Sequence, residues 1–413
     1  MASEMRPVAD VRRHILDKLP KLENETVSLS DALGRFLAEQ VVAGEDIPAF
    51  ANSGMDGYAV RGADVAKPGV TLRVLADLPA GKVALQGVGA GEAMKIMTGA
   101  PLPEGADTVV RVEDTTSKDG VVEIRPAVAP GTHVRPSGGD VEMGTTVIES
   151  GTRLSSVHVG VLATLGATRV TVVRRPRVAV MSTGDELASA DTKVLDRGMI
   201  RDSNRPMLMA LVTEAGAEVI DLGTVADDSR QLAASLEEAS ATSDVIITTG
   251  GVSMGDYDVV KSLLTGSGVE FVKVAINPGK PLGFGLFDGR PFFGLPGNPV
   301  SVFVSFEQFA RPALLTMQGA RAVLRPRVQG VSGEDLHSDP AKEAFVRVRV
   351  VEQATWEVVS TGSQSSNVLS GAAMADCFAV LPVGVSTLRK GDPVTLELFK
   401  AVETRKAPEG PTN

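Results

Sequence analysis

Cysteine is almost absent from this sequence: Cys377 is the single one in 413 residues. No intrachain disulfide can form, and no zinc or iron–sulfur site can be built on several thiolates. A reducing, cytoplasmic setting is the expectation. Cationic excess is missing as well. The formal charge is −10, which argues against a nucleic-acid or anionic-membrane surface, because both need clustered Lys and Arg. Nowhere do 18 apolar residues run together, and Met1 to Asp10 shows no apolar stretch followed by a cleavage site, so neither a membrane span nor a secretory signal is predicted. Aromatics are scarce at 4%, whereas glycine is plentiful at 43 residues, which points to many turns and close backbone approaches. A chain of this length should divide into about two to four domains.

In the N-terminal part, Val8, Val11, Ile15 and Leu19 recur at helical spacing, giving an amphipathic helix that ends at Pro20, and a second short helix is predicted near Ser30. The loop Ile47 to Val60 exposes Asp56 between Met55 and Gly57; taken locally, a turn aspartate stabilising its own backbone is the simpler reading. From Val70 to Val128 the pattern changes to short strands (Val70 to Leu75, Glu92 to Met97, Thr108 to Val112, Val121 to Ile124) separated by Pro- and Gly-bearing turns, as in a small inserted β domain. Asp140 follows on a Gly-rich loop near Arg135. Ser155 to Leu165 returns to helical spacing with Val157, Val161 and Leu165 on one face.

After Arg177 strands and helices alternate. Val178 to Met181, Ala217 to Leu222, Val245 to Thr249 and Pro291 to Leu295 read as strands, and helices follow Asp202-Ser-Asn204, Asp228 and Asn298. Such alternation implies a parallel sheet with helices on both faces, and ligands gather at the C-terminal ends of its strands. Those ends carry Glu186, Asp227, Asp256 and Asp258, together with the turns Gly250-Gly251 and Gly297-Asn298. A Gly-rich turn entering a helix aims N–H groups at an anion, and neighbouring carboxylates suit a phosphate that brings Mg²⁺. Any one of these acids alone reads more simply as a helix N-cap; together they point to a metal–phosphate cleft. Lys273 and Lys280 lie between the two turns, Lys280 fixed between Gly279 and Pro281. From about Arg325 the chain turns β-like again, with Ala344 to Val351 alternating strictly and the loop Thr361 to Asn367 offering hydroxyls and amides. The charged tail after Ala401 is expected to be disordered.

Taken together, Asn52-Ser-Gly-Met-Asp-Gly-Tyr-Ala-Val-Arg61, Met97-Thr-Gly-Ala-Pro-Leu-Pro103, Ser182-Thr-Gly-Asp-Glu-Leu187, Thr249-Gly-Gly-Val-Ser-Met-Gly-Asp-Tyr-Asp258, Pro278-Gly-Lys-Pro281 and Gly294-Leu-Pro-Gly-Asn-Pro-Val-Ser301 closely resemble the molybdopterin molybdotransferase family, MoeA and the E domain of gephyrin. The motifs run in the family's order from about residue 8 to 400. The resemblance implies a partly helical domain (1–46 and 141–175), an inserted β domain (47–140), a molybdopterin-binding α/β domain (176–322), a C-terminal β-barrel (323–402) and a tail (403–413), assembled as a homodimer. It implies an Mg²⁺-dependent reaction in which adenylylated molybdopterin and molybdate give molybdenum cofactor and AMP, with a molybdopterin adenylyltransferase as upstream partner. By motif position, Asp56, Asp140, Glu186, Asp227, Asp258, Lys273 and Lys280 match the family's active-site residues, with Glu186, Asp227 and Asp258 assigned to the metal. Thr183, Gly184, Gly250, Gly251, Ser253, Pro296, Gly297 and Asn298 are assigned to the pterin–nucleotide, and Lys280, Ser301, Arg347 and Ser366 to molybdate. Asp56 and Asp140, distant in sequence, are expected to reach the cleft by folding back or across the dimer. At Asn277 the chain departs from members that carry lysine there, which shifts anion binding toward Lys280. A related nucleotide or pyrophosphate hydrolase, and a non-enzymatic scaffold, are the competing readings.

Overall fold

A computed structural model describes residues 5–251 and 259–400. Its chain forms two compact units, one of Met1–Glu25, Gly34–Phe36 and Val172–Asn413, the other of Thr26–Leu33 and Leu37–Thr171.

The first unit is built on a six-stranded sheet in the order Glu218–Val225, Arg177–Thr183, Val245–Thr249, Arg290–Leu295, Pro281–Phe287, Val269–Lys273. The first four strands are parallel, as the alternation with helices predicts. The last two are added antiparallel, so the sheet is mixed at that edge. Residues alternate between two buried faces. Val178, Val180, Val245, Ile247, Phe293 and Leu295 enter a core shared with Val8, Val11 and Ile15 of the N-terminal helix and with Leu208, Leu211 and Phe306. Ala179, Met181, Ile246 and Phe292 face the other core, under Leu232, Leu236, Val260 and Leu264. Burial on both faces is why these strands read as unbroken apolar runs.

Helices Asn204–Glu214, Ser229–Thr242, Val259–Leu264 and Pro299–Ser305 follow the strands, and the last continues through one π-helical turn, Phe306–Ala310, into Arg311–Met317. Beyond them, Arg327–Ser332, Glu343–Glu352, Glu357–Ser360, Cys377–Leu381 and Pro393–Leu398 pair in a closed ring, the five-stranded barrel expected at the C-terminus. Its interior holds Val346, Val348, Cys377, Ala379 and Leu396. Burial pushes the Cys377 thiol up to about 12, so it is chemically quiet packing material.

The second unit holds a six-stranded sheet in the order Thr108–Arg111, Gly57–Val60, Glu92–Ile96, Val70–Leu78, Val121–Ile124, Thr115–Lys118. Tyr58, Val60, Leu72 and Val110 pack on one side of it, and Ala59, Met94, Ile96 and Val109 on the other. Two sequence readings change here. The helix near Ser30 is a single 3-10 turn, Leu29–Asp31, because Gly34, with φ of +77°, turns the chain out of helical conformation directly after it. The helix Ser156–Thr164 is present and begins at a capping box between Ser155 and His158, but it buries Leu162 and leaves Val157 73% exposed. Capping, rather than amphipathic burial, sets where this helix starts.

Candidate active site

The strand register places the site. Thr183 pairs with Val225, and Thr249 with Leu295, so four connections leave the sheet along one edge immediately afterwards. Two of them require glycine. Gly250 and Gly251 have φ of +86° and +64°, and a Cβ on Gly250 would lie 2.4 Å from the Thr183 carbonyl, one on Gly251 2.4 Å from Val260 Cγ2. At Gly184 a Cβ would lie 2.4 Å from Glu186 Oε2, so the Glu186 carboxylate folds back over that backbone. By contrast a Cβ on Gly297 meets nothing within 4 Å, which makes Gly297 the open side of its turn.

The acids separate by what they hold. Asp228 is the N-cap of Ser229–Thr242, accepting from the N–H groups of Arg230 and Gln231. Asp185 accepts from the Asp227 N–H at 3.1 Å. Neither the Glu186 nor the Asp227 carboxylate has a bonding partner among the described residues, and both are exposed. Asp256, Asp258 and Ser253 lie outside the described residues. Uncommitted hard oxygen donors of this kind fit Mg²⁺, which takes one or two carboxylates and keeps water and phosphate oxygens for the rest. Among the described residues no group of three His, Cys, Asp or Glu could hold a metal by itself.

Thr183, Glu186, Leu187, Asn204, Gly250 and Gly297 are among the walls of a cleft of about 80 Å³ at this edge. Asn204 is a residue that sequence reasoning missed. Its Nδ2 donates to Thr249 Oγ1 at 3.0 Å and to the Gly297 carbonyl at 2.7 Å. The only signal for it was Asp202-Ser-Asn204, read simply as a helix start.

A second cluster lies where the barrel meets the Gly297-Asn298 turn. Asn298 Nδ2 donates to Ser366 Oγ at 2.9 Å, and the Val300 N–H to the Ser366 carbonyl at 3.0 Å. Ser366 is thereby brought to the N-terminus of the helix that carries Ser301. Lys280 enters from the adjoining loop: a Cβ on Gly279 would lie 2.7 Å from Ser305 Oγ and 3.5 Å from the Ser301 carbonyl. Lys280 is exposed, and neither it nor Lys273 forms a salt bridge among the described residues. Arg6 borders Lys273, its N–H donating to the Lys273 carbonyl at 2.8 Å. Asn277 pairs with Ala344 of the barrel, three residues before Arg347.

Arg347 is the unusual member. It is 0% exposed, and Nη2 donates to the carbonyls of Ser363 and Ser365 at 2.7 and 3.2 Å. Its Nε and Nη1 are buried without a partner, and no carboxylate forms an ion pair with it among the described residues. Burial lowers its pKa from the usual guanidinium value. A buried cation with two idle donors is a costly arrangement unless an anion completes it.

Asp56 and Asp140 belong to the other unit. Asp56 Oδ1 accepts from the Thr98 N–H and hydroxyl, both at 2.7 Å, and those bonds hold its carboxyl below the usual range. Thr98 lies 42 residues away, so Asp56 braces the Met97–Gly99 turn rather than its own backbone, contrary to the local reading. The Asp140 N–H donates to the Ile47 carbonyl, while its side chain is exposed and without a partner among the described residues.

Three family models match consecutive parts of the chain: MoeA N-terminal region (domain I and II) over residues 6–166, probable molybdopterin binding domain over 179–316, and MoeA C-terminal region (domain IV) over 329–399. Molybdopterin molybdenumtransferase 2 of Mycobacterium tuberculosis is 40% identical over 398 residues, covering 94% of this chain and 98% of that protein. Molybdopterin molybdenumtransferase of Haemophilus influenzae is 36% identical over 401 residues, covering 96% and 99%. A crystal structure of the molybdopterin biosynthesis moeA protein from Pyrococcus horikoshii OT3 superposes with a TM-score of 0.85 at 29% identity, covering 96% of this chain and 100% of that one. With its sheet, its barrel and all three consecutive matches in agreement, this chain belongs to the MoeA family of molybdenum cofactor biosynthesis proteins.

Proposed function

We propose that this protein is a molybdopterin molybdotransferase, inserting molybdenum from molybdate into adenylylated molybdopterin and releasing AMP. The observation that carries the reading is Arg347, a fully buried guanidinium whose Nε and Nη1 have no partner among the described residues, near the Ser366–Asn298 junction. A tetrahedral dianion needs such charge-assisted donors. Ser301 and Lys280 would supply the remaining hydroxyl and mobile cation. The turns Gly250-Gly251 and Pro296-Gly297-Asn298, with Thr183 and Gly184, would cradle the pterin–nucleotide. Its sulfurs, not a protein thiol, would capture the metal, which agrees with the burial of Cys377.

Releasing AMP breaks a phosphoanhydride-like bond that is dense in negative charge. Glu186 and Asp227, with Asp258 included from its motif, are assigned to hold Mg²⁺. When bound, that ion would offset the charge on the leaving phosphate. Lys273 and Lys280 would add positive charge toward the same anionic substrates. Asp56 and Asp140 are assigned to the same reaction through a homodimer, in which a second copy supplies them. The exposed and uncommitted Asp140 carboxylate supports that assignment. A molybdopterin adenylyltransferase would deliver the substrate, in the cytoplasm; no helix among the described residues is long and apolar enough to cross a membrane.

The test is AMP release from adenylylated molybdopterin, with and without molybdate and with and without Mg²⁺. A transferase releases AMP in step with molybdate consumed. Release indifferent to molybdate would instead identify a hydrolase on the same fold, and no release under any condition would favour a scaffold. Asp258→Asn should abolish cofactor synthesis in cells; unchanged synthesis would remove Asp258 from the metal set.

A further inference from the structure

The Asp202-Ser203-Asn204 turn lines the cleft and touches both glycine turns, yet no role in the reaction has been assigned to it. Asn204 Nδ2 donates to Thr249 Oγ1 at 3.0 Å and to the Gly297 carbonyl at 2.7 Å, and Thr249 Oγ1 passes its own proton to the Pro296 carbonyl at 2.9 Å. One amide therefore joins the strand end before Gly250-Gly251 to the turn before Asn298. Its orientation is fixed by chemistry. Both groups it reaches need a donor, since a carbonyl cannot give a proton and the Thr249 hydroxyl has already given its own, so nitrogen rather than oxygen must face them. The consequence is an orphan: Asn204 Oδ1 is buried with no partner among the described residues. Leaving a buried amide oxygen unbonded is unfavourable. The fold tolerates it to keep Nδ2 on the two turns.

The turn that carries Asn204 is itself braced. Asp202, 3% exposed, accepts from the Ser182 hydroxyl, from Thr224 Oγ1 at 3.3 Å, from the Arg205 N–H at 3.1 Å and from Arg205 Nε at 3.3 Å. Arg205 Nη1 in turn contacts both oxygens of Asp221 at 2.5 and 2.6 Å. Ser182 and Thr224 sit at the ends of the two strands that lead to Glu186 and Asp227. The helix start is thus tied to four strand ends at once, two through Asp202 and two through Asn204.

We propose that Asn204 is a positioning residue of the nucleotide cleft, a clip that sets the spacing between the Gly250-Gly251 and Gly297-Asn298 turns and so the fit of the pterin–nucleotide. The proposal rests on the function proposed above. It bears chiefly on one of the two substrates: Arg347 is held by the Ser363 and Ser365 carbonyls, and the molybdate group shares the clipped turn only through Asn298, which meets Ser366, and the helix carrying Ser301.

The experiment compares Asn204→Asp, nearly the same shape but unable to donate, with Asn204→Ala, which is neutral and removes both bonds. Initial rates of AMP release are measured with adenylylated molybdopterin and molybdate varied separately. Hydrogen exchange is followed by mass spectrometry over 245–251 and 295–300. Both variants should raise KM for adenylylated molybdopterin, on the order of tenfold for two lost hydrogen bonds, raise KM for molybdate by a clearly smaller factor, and quicken exchange in both turns. Asn204→Asp behaving as wild type, or KM for molybdate rising by as large a factor as KM for adenylylated molybdopterin, would overturn the clip. If the wild-type protein itself releases no AMP, the functional reading has failed, and the clip is then decided by exchange alone: unchanged protection of both turns in the two variants refutes it.

Discussion

Arg347→Met offers a prediction in which stability and activity move in opposite directions. The arginine is fully enclosed and pairs with no carboxylate among the described residues, so the protein carries the cost of an uncompensated charge, several kcal/mol. Methionine fills similar length without charge. It gives up two bonds to the carbonyls of Ser363 and Ser365, residues exposed enough for water to replace the donor. The net effect should be a gain of about 1–4 kcal/mol, as for other buried charges replaced by apolar side chains. The anion site loses two charge-assisted bonds from Nε and Nη1. At a modest total of about 3 kcal/mol, molybdate affinity should fall about a hundredfold. Thermal melts with and without molybdate report both terms. Molybdate at 100 times its Kd stabilises the wild type by about 2.7 kcal/mol; after a hundredfold loss the same concentration gives about 0.4 kcal/mol. If the variant were less stable than wild type and still stabilised by molybdate to the same extent, Arg347 would be a structural anchor for the 363–365 loop and nothing more.

Gly250→Ala should cost about 1–2 kcal/mol from the left-handed backbone alone, with a further clash at the Thr183 carbonyl, and should depress turnover beyond its effect on folding, read by kcat against the melting midpoint. Glu186→Gln and Asp227→Asn should each raise the Mg²⁺ concentration needed for half-maximal AMP release while leaving the fold intact, since neither carboxylate bonds to another described residue; an unchanged Mg²⁺ titration removes them from the metal set. Asp244 is 4% exposed, and although burial would raise its pKa, Arg174, the Arg177 N–H and the field of both arginines hold it low. A folded pKa below the unfolded one means its contribution is present above the unfolded value and is lost as pH falls through the folded value. Asp244→Asn should therefore destabilise by about 2–3 kcal/mol at pH 7, and denaturant melts of variant and parent should converge under strongly acidic conditions.

Much of the fold was legible because the parallel strands are buried on both faces. Val245 to Thr249 reads as continuous β-branched sequence and is buried throughout, whereas Ala344 to Val351 alternates in sequence only: Ala344 to Val348 are all buried, with Phe345 in the core of the large sheet and Val346 inside the barrel. The antiparallel edge was the miss, although its signal was present. Asp288-Gly289 is a two-residue connection with both φ values positive, +47° and +75°, closing Phe287 onto Arg290. Asp-Gly between apolar runs is the sequence signature of that hairpin. It was obscured by Gly283 and Gly285, which look like strand breakers. They are required instead by close neighbours: a Cβ on Gly285 would lie 2.1 Å from the Gly268 carbonyl, and one on Gly283 2.9 Å from the Phe271 ring.

The site was legible in proportion to how far its chemistry depends on backbone conformation. Glycine turns at strand ends announce themselves, because only glycine tolerates the φ values and approaches measured at Gly250 and Gly251. Acids beside them are ambiguous until their bonds are seen: adjacent Asp227 and Asp228 are indistinguishable in sequence, yet one caps a helix and the other is uncommitted. Arg347 and Asn204 are harder still. Arg347 occupies an alternating strand where a cation reads as an outward residue, and only its complete burial with two idle donors sets it apart. Asn204 reads as an ordinary helix start, since Asn favours such positions for local reasons. Its Oδ1 accepts no bond from its own helix among the described residues. It reaches instead to Thr249 and Gly297, 45 and 93 residues away in sequence. Contacts of that kind have no local pattern, so residues that position a site across several strand ends emerge only when the fold brings those ends together.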